Sequence, residues 1–251
     1  MLVPSGKRRR PAGRQMTVAT FVLIHGGGDV GWYWHRVERE LRQRGHDTVA
    51  PDLPCDDDTA GLAEYADTVI DAVGGRRGLI VAAQSFGGFT APLVAARVPV
   101  DVLVLVAGMI PAPGEAPDDW PANTGFDEVM RQQAQRYSGA DLVYHDVSPA
   151  LAEQARRHAR DQSDTPGHAP WPLEAWPPVP TRFVVCTKDR FFPPEFMRRV
   201  VADHLGVVPD EIAAGHAVAL SRPKELASLL ASYLSARTCG FHILRPGNHP
   251  A

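Results

Sequence analysis

From residue 17 onward, short continuous apolar runs alternate with stretches whose apolar positions recur every three or four residues. Residues 18–24 (VATFVLI) are unbroken, rich in β-branched and aromatic side chains, and closed by His25, Gly26, Gly27 and Gly28. That pattern predicts a strand buried on both faces, followed by a glycine-rich loop. Residues 34–44 set Trp34, Val37 and Leu41 at helical spacing between charges, as an amphipathic helix requires. A second short strand is expected at 46–51, and a helix at 63–73 that Gly74 and Gly75 stop. A third strand follows at 78–83, a helix at 86–97 and a fourth strand at 100–106. Strands alternating with helices of this length imply βαβ units and a parallel sheet.

The alternation breaks between residues 111 and 180. This segment holds 11 of the 23 prolines and three of the five tryptophans, too much proline for core sheet and too much apolar area for a linker. One helix is expected in it, at 149–160, with Leu151 and Ala155 on one face. Strand-like runs resume at 182–187 and, weakly, at 207–212, with helices at 194–204 and 223–235. The reading is therefore α/β. The core comprises 17–110 and 181–236, a helical lid of 111–180 follows the fourth strand, and 237–251 form a loose tail. Pro92 falls inside the 86–97 helix, where a kink or an early 3₁₀ turn is expected to absorb it.

Length and composition narrow the class. At 251 residues, 44% apolar and 22% charged, the chain is ordinary globular protein. It holds no run of the roughly 18 apolar residues a membrane span needs, so a soluble, cytoplasmic protein without a membrane partner is expected. The three cysteines, Cys55, Cys186 and Cys239, lie far apart and fit neither a disulfide framework nor a zinc ribbon. The net charge of −3 hides a basic leader: Lys7, Arg8, Arg9, Arg10 and Arg14 lie within residues 1–16, which contain no acid. The remainder carries 21 basic against 29 acidic residues, so no nucleic-acid partner is expected. Residues 1–16 are read as a disordered leader upstream of Met16, since no apolar segment of a secretory signal follows the basic cluster.

Candidate chemistry gathers at strand ends. The third strand runs through Ala83, Gln84 and Ser85 into Phe86, Gly87 and Gly88. A serine with small residues two before and two after it, between a strand and a helix, fits a nucleophile elbow, because bulky neighbours there would collide with the helix. A plain N-cap is the competing role for Ser85. A serine nucleophile needs a base and a group to orient it. Among ten histidines, His216 stands in a small-residue loop (Ala213-Ala214-Gly215-His216-Ala217) between the last strand and the last helix, where parallel sheets gather functional groups. The acid expected between them is Asp189, just past the fifth strand, whereas Glu195 is better explained as a helix N-terminal charge. Two backbone N–H donors complete an oxyanion site, Phe86 after the serine and Gly27 within the glycine-rich loop. No metal-ligand spacing, P-loop or dinucleotide fingerprint occurs, so no metal and no cofactor are expected.

With these residues assembled, the chain resembles the α/β-hydrolase superfamily from about residue 17 to 235. Within it, the chain looks most like the small branch of plant methylesterases and hydroxynitrile lyases and their bacterial relatives. The resemblance is carried by residues 21–34 (FVLIHGGGDVGWYW), the elbow around Ser85, and Gly215-His216 followed by Leu220-Ser221-Arg222-Pro223. Tyr144-His145-Asp146 is a weaker echo. It implies an α/β-hydrolase fold with six mostly parallel strands, no cofactor, and a serine esterase acting through an acyl-enzyme on small to medium apolar esters. The lyases of the branch carry a lysine directly after the catalytic histidine and a threonine in the oxyanion loop. Here Ala217 and Gly26 stand at those positions, which favours ester hydrolysis. The alternatives are lyase or cofactor-free C–C cleavage on the same triad, or a non-catalytic receptor for a small molecule. The expected pocket lining is Trp120, Phe126, Met130, Trp171 and Trp176, with lid core as the competing role of each. The sequence leaves monomer and homodimer open.

Overall fold

The computed structural model describes residues 18–234. The basic leader and the tail beyond residue 236 lie outside them. In chain order the elements are β1 (Thr20–Ile24), a 3₁₀ turn (Gly31–Trp34), α1 (His35–Gln43), β2 (Asp47–Val49), α2 (Leu62–Val73), β3 (Leu79–Gln84), α3 (Gly87–Ala95) and β4 (Val100–Val106). Four helices follow without a strand: α4 (Trp120–Thr124), α5 (Phe126–Arg136), α6 (Pro149–His158) and α7 (Thr165–His168). The sheet resumes with β5 (Thr181–Cys186), α8 (Pro194–His204) and β6 (Asp210–Ile212), and the described residues close on α9 (Val218–Ser221) and α10 (Pro223–Ser232).

All six strands are parallel, in the order β2-β1-β3-β4-β5-β6. The period-two alternation of strand side chains divides the core into two layers. Phe21, Leu23, Ile80 and Ala82 pack with Val37 and Leu41 of α1 and Leu226 and Leu230 of α10. Val22, Ile24, Val81 and Ala83 pack with Val69 of α2, Phe89 of α3 and Val200 and Val201 of α8. Burial on both faces explains why these strands read as continuous apolar runs. The chain leaves β1 for one edge and returns to lay β3 on its other side. The carboxyl ends of β1 and β3 therefore flank the crevice where strand order reverses, the position in which open parallel sheets place ligands.

The differences from the sequence-based expectation are local. The last strand begins only at Asp210, because Pro209 donates no hydrogen bond and Val208 is 89% exposed. Pro92 is accommodated within α3, whose first bonds run from Gly88 N–H to the Ser85 carbonyl and from Phe89 N–H to the Phe86 carbonyl, both 3.0 Å. These are i→i−3 bonds that tighten the helix entry ahead of Pro92.

The segment between β4 and β5 carries four helices where one was expected, and aromatic anchors fix it to the helices and loops beside the sheet. Trp120 is fully buried among Phe126, Phe192 and Phe196 and donates its indole N–H to the Ile110 carbonyl at 3.0 Å. Trp171 is equally buried and donates to the Phe89 carbonyl of α3 at 3.0 Å. Each indole brings large apolar area together with a satisfied polar edge. Trp120→Ala is expected to lower the unfolding free energy by about 3–5 kcal/mol, the usual cost of a buried Trp truncation. Urea unfolding measures this, and a loss under about 1 kcal/mol would show that the anchor carries little.

Candidate active site

Ser85 follows β3 directly and takes φ 51°, a left-handed conformation that costs a non-glycine residue roughly 1–2 kcal/mol. Its carbonyl is held from two sides, by the N–H of Gly88 at 3.0 Å and of Met109 at 2.9 Å. The two glycines behind it answer to close approaches. A Cβ on Gly87 would stand 2.6 Å from the His25 carbonyl oxygen, and one on Gly88 would stand 2.0 Å from that of Met109. The small residue two places after the serine is thus demanded by the end of β1, and the next one by the loop after β4.

His216 and Asp189 arrive from different loops and meet in the interior, 4% and 5% exposed. His216 Nδ1 lies 2.8 Å from Asp189 Oδ2. The other carboxylate oxygen accepts the backbone N–H groups of Phe191 at 2.8 Å and Phe192 at 2.9 Å. Asp189 is therefore fixed before it orients anything. The rings of Phe191 and Phe192 flank the imidazole at centroid distances of 4.8 and 5.1 Å. With an acceptor on Nδ1, the neutral ring carries its proton there and leaves Nε2 as acceptor. That acceptor is used by the side-chain amide of Gln84, whose Nε2 lies 3.0 Å away. Gln84, one residue before the serine, went unnoticed in the sequence because a lone glutamine in a strand carries no pattern. Glu195, by contrast, sits exposed in the first turn of α8.

Ser85 and His216 line one cavity of about 150 Å³, shared with Gly26 and Gly27. A Cβ on Gly27 would fall 3.6 Å from the Cβ of Phe86, so the two residues expected as oxyanion donors are close neighbours. The glycine loop is tied down from the far side: Gly28 N–H donates to Gln162 Oε1 at 2.9 Å, and Arg160 N–H donates to the Gly28 carbonyl at 2.9 Å. His25 closes the same loop from within. Its Nδ1–H bonds the Gly26 carbonyl at 2.8 Å, and its Nε2 accepts the Leu53 N–H at 2.9 Å. Within the Tyr144-His145-Asp146 stretch, Asp146 is a strut: it accepts the Gly215 N–H at 2.8 Å, beside His216.

None of Trp120, Phe126, Met130, Trp171 or Trp176 lines this cavity. Trp120, Phe126 and Trp171 are core, with Met130 and Trp176 packed against it, and Trp171 and Trp176 border a separate cleft with Pro111 and His204. Their apolar area is consumed by anchoring the segment after β4. The residues of that segment which do reach the cavity are Val143 and Tyr144, joined from elsewhere by Asp29, Tyr33 and Ala217. Among the described residues no cluster of His, Cys, Asp and Glu has the makings of a metal site, and no helix is long and apolar enough to cross a membrane. Cys55 and Cys186 are free and buried, whereas Cys239 lies outside the described residues.

Residues 21–229 match the family model described as the alpha/beta hydrolase family. Norfluorocurarine synthase 1 of a Strychnos species is 25% identical, over 84% of this chain and 93% of the relative. Esterase PIR7B of Oryza sativa subsp. japonica is 28% identical over the same shares. The crystal structure of polyneuridine aldehyde esterase superposes with a TM-score of 0.73 at 20% identity, covering 87% of this chain and all of that one. The likeness to that structure is one of fold.

Burial lowers the pKa of His25 to about 4 against the ordinary 6.5, the Gly26 bond opposing the shift only in part. The folded protein thus holds a neutral imidazole while the unfolded chain binds a proton between pH 6.5 and 4. Its contribution is complete above pH 6.5 and is lost as the pH falls toward 4, by up to about 3 kcal/mol. Unfolding free energies across this range should fall more steeply for wild type than for His25→Gln. Equal slopes would exclude His25 as the source.

Proposed function

Since the chain belongs to the alpha/beta hydrolase family, we propose that it hydrolyses short carboxylic esters, with Ser85 as nucleophile, His216 as base and Asp189 as the group that orients the imidazole. The observation that carries this reading is the 2.8 Å contact of His216 with Asp189, on a histidine that shares one cavity with the strained Ser85. Related proteins named as esterases support the reaction class.

In the proposed cycle Ser85 Oγ attacks the ester carbonyl and its proton passes to His216 Nε2. Gln84 gives up its bond to that nitrogen as the proton arrives. The negative charge then sits on the carbonyl oxygen, where the N–H groups of Gly27 and Phe86 stabilise it. Collapse expels the alcohol, which takes the proton from His216, and water releases the acid from the acyl-enzyme by the same steps. Asp189, buried and already holding two N–H donors, keeps Nδ1 protonated and stabilises the imidazolium between steps. The residue after His216 is Ala217, buried at the cavity. It provides no ammonium group of the kind that accompanies the histidine in the lyases the sequence resembles, so hydrolysis is favoured over cyanohydrin cleavage.

The segment 111–180 acts as a lid in this reading, because Val143 and Tyr144 form cavity wall and Gln162 and Arg160 brace the oxyanion loop. A cavity of about 150 Å³ suits short acyl and alcohol groups. With p-nitrophenyl esters from acetate to octanoate, turnover is expected to be greatest for the short chains. Ser85→Ala is expected to lower kcat/KM by about four orders of magnitude or more, with unchanged circular dichroism. Wild-type turnover in that variant would refute the assignment.

A further inference from the structure

One charged group in the cavity has no part in the proposed cycle. Asp29 stands in the glycine-rich loop, four residues after His25, and lines the cavity that holds Ser85 and His216. Its Oδ1 accepts the Val30 N–H at 2.9 Å. Among the described residues no Lys, Arg or His forms an ion pair with it, and Asp52 is the charged neighbour that acts on it. The cavity wall contains no Lys or Arg. Three aromatic rings share it, those of Tyr33, Tyr144 and Phe191. Burial and the Asp29 charge push the phenol of Tyr33 well above its ordinary pKa, and the same two causes, burial first, push that of Tyr144 up to about 12. Both therefore remain neutral rings.

An acidic side chain in a largely desolvated wall, without a counter-charge, raises the free energy of the empty site. Burial raises the Asp29 carboxyl to about 6, with Asp52 adding to the rise and the Val30 N–H opposing it, so it is charged at pH 7.5. A ligand cation entering the cavity would supply the missing counter-charge and meet aromatic faces as well, an arrangement that attracts ammonium groups. An anionic ligand would meet the carboxylate and no lysine or arginine in the wall.

We infer that Asp29, with the Tyr33, Tyr144 and Phe191 rings, forms a cation subsite that selects short esters bearing an ammonium group. This deepens the esterase reading and rests on it for the reaction, while the binding of a cation stands on its own. The ammonium lies on the alcohol or on the acyl side, since both groups are attached to the carbonyl carbon that Ser85 attacks.

The test pairs each cationic ester with its neutral isostere at pH 7.5. For the alcohol side these are choline butyrate and 3,3-dimethylbutyl butyrate; for the acyl side, the p-nitrophenyl esters of trimethylglycine and of 3,3-dimethylbutanoate. In wild type kcat/KM is expected to favour the cationic member of one pair by about tenfold or more, the size of one desolvated ion pair or cation–π contact. In Asp29→Asn, which retains the oxygen that accepts the Val30 N–H, that cationic-to-neutral ratio should fall by about tenfold. The side on which the preference appears identifies the leaving or the acyl group. Equal ratios in the two proteins, or a preference for both neutral esters, would overturn the subsite.

A second measurement separates this proposal from the reaction it rests on. Choline chloride at tens of millimolar should raise the thermal unfolding midpoint of wild type and not of Asp29→Asn, because a ligand stabilises the state it binds. Stabilisation without turnover of any ester would keep the cation subsite and remove the esterase reading. Serine-dependent turnover with no cation preference and no stabilisation would do the reverse.

Discussion

The turn at Ser85 joins the end of β3 to the start of α3 so sharply that the serine is forced to positive φ, and neighbouring parts of the fold are arranged around that strain. The conformation survives because two backbone donors, from α3 and from the loop after β4, hold the Ser85 carbonyl in place. It also demands backbone contact on both sides. The end of β1 closes on Gly87 and the loop after β4 closes on Gly88, each at distances no larger residue permits. The cost of a left-handed serine is a few kcal/mol at most, and a close-packed core gives it no cheaper alternative. One constrained turn thereby sets the spacing of three neighbouring strand ends.

The loops after β5 and β6 bring the acid and the histidine to those strand ends. Asp189 is saturated by two backbone donors and the imidazole before any ligand arrives. His216 is gripped between that carboxylate and the Gln84 amide, with aromatic rings against the imidazole. In the proposed cycle a side chain held this way would lose little further freedom on reaching the transition state, which is the physical content of preorganisation. His25 does comparable work for the glycine loop, and its burial explains why it stays neutral. Asp29 is the exception in this set, a carboxylate whose local bonding is left incomplete where the others are satisfied.

The segment between β4 and β5 shows how composition misleads about role. Its tryptophans looked like pocket wall because large aromatic side chains often line ligand sites. They are instead the means by which a proline-rich segment, with no strand of its own, attaches to α3, α8 and the loop after β4 through buried rings and indole N–H bonds. The contact with the cavity falls to smaller or more polar residues, Val143 and Tyr144.

The sequence by itself determined the layered α/β architecture, since continuous apolar runs alternating with amphipathic stretches leave a parallel sheet as the arrangement that buries both faces. It also marked Ser85, Asp189 and His216, because each follows a strand and the three stand in the chain order that the elbow arrangement uses. What it did not contain was any contact between residues remote in the chain. Gln84 against His216, Gln162 against Gly28, and Asp29 in one cavity with Ser85 are separated by between 56 and 134 positions. Hydrophobic periodicity encodes which face of an element is buried, not which partner lies across it. Those pairings, and with them the charge and size of the cavity, were decided only when the strand order brought the loop ends together.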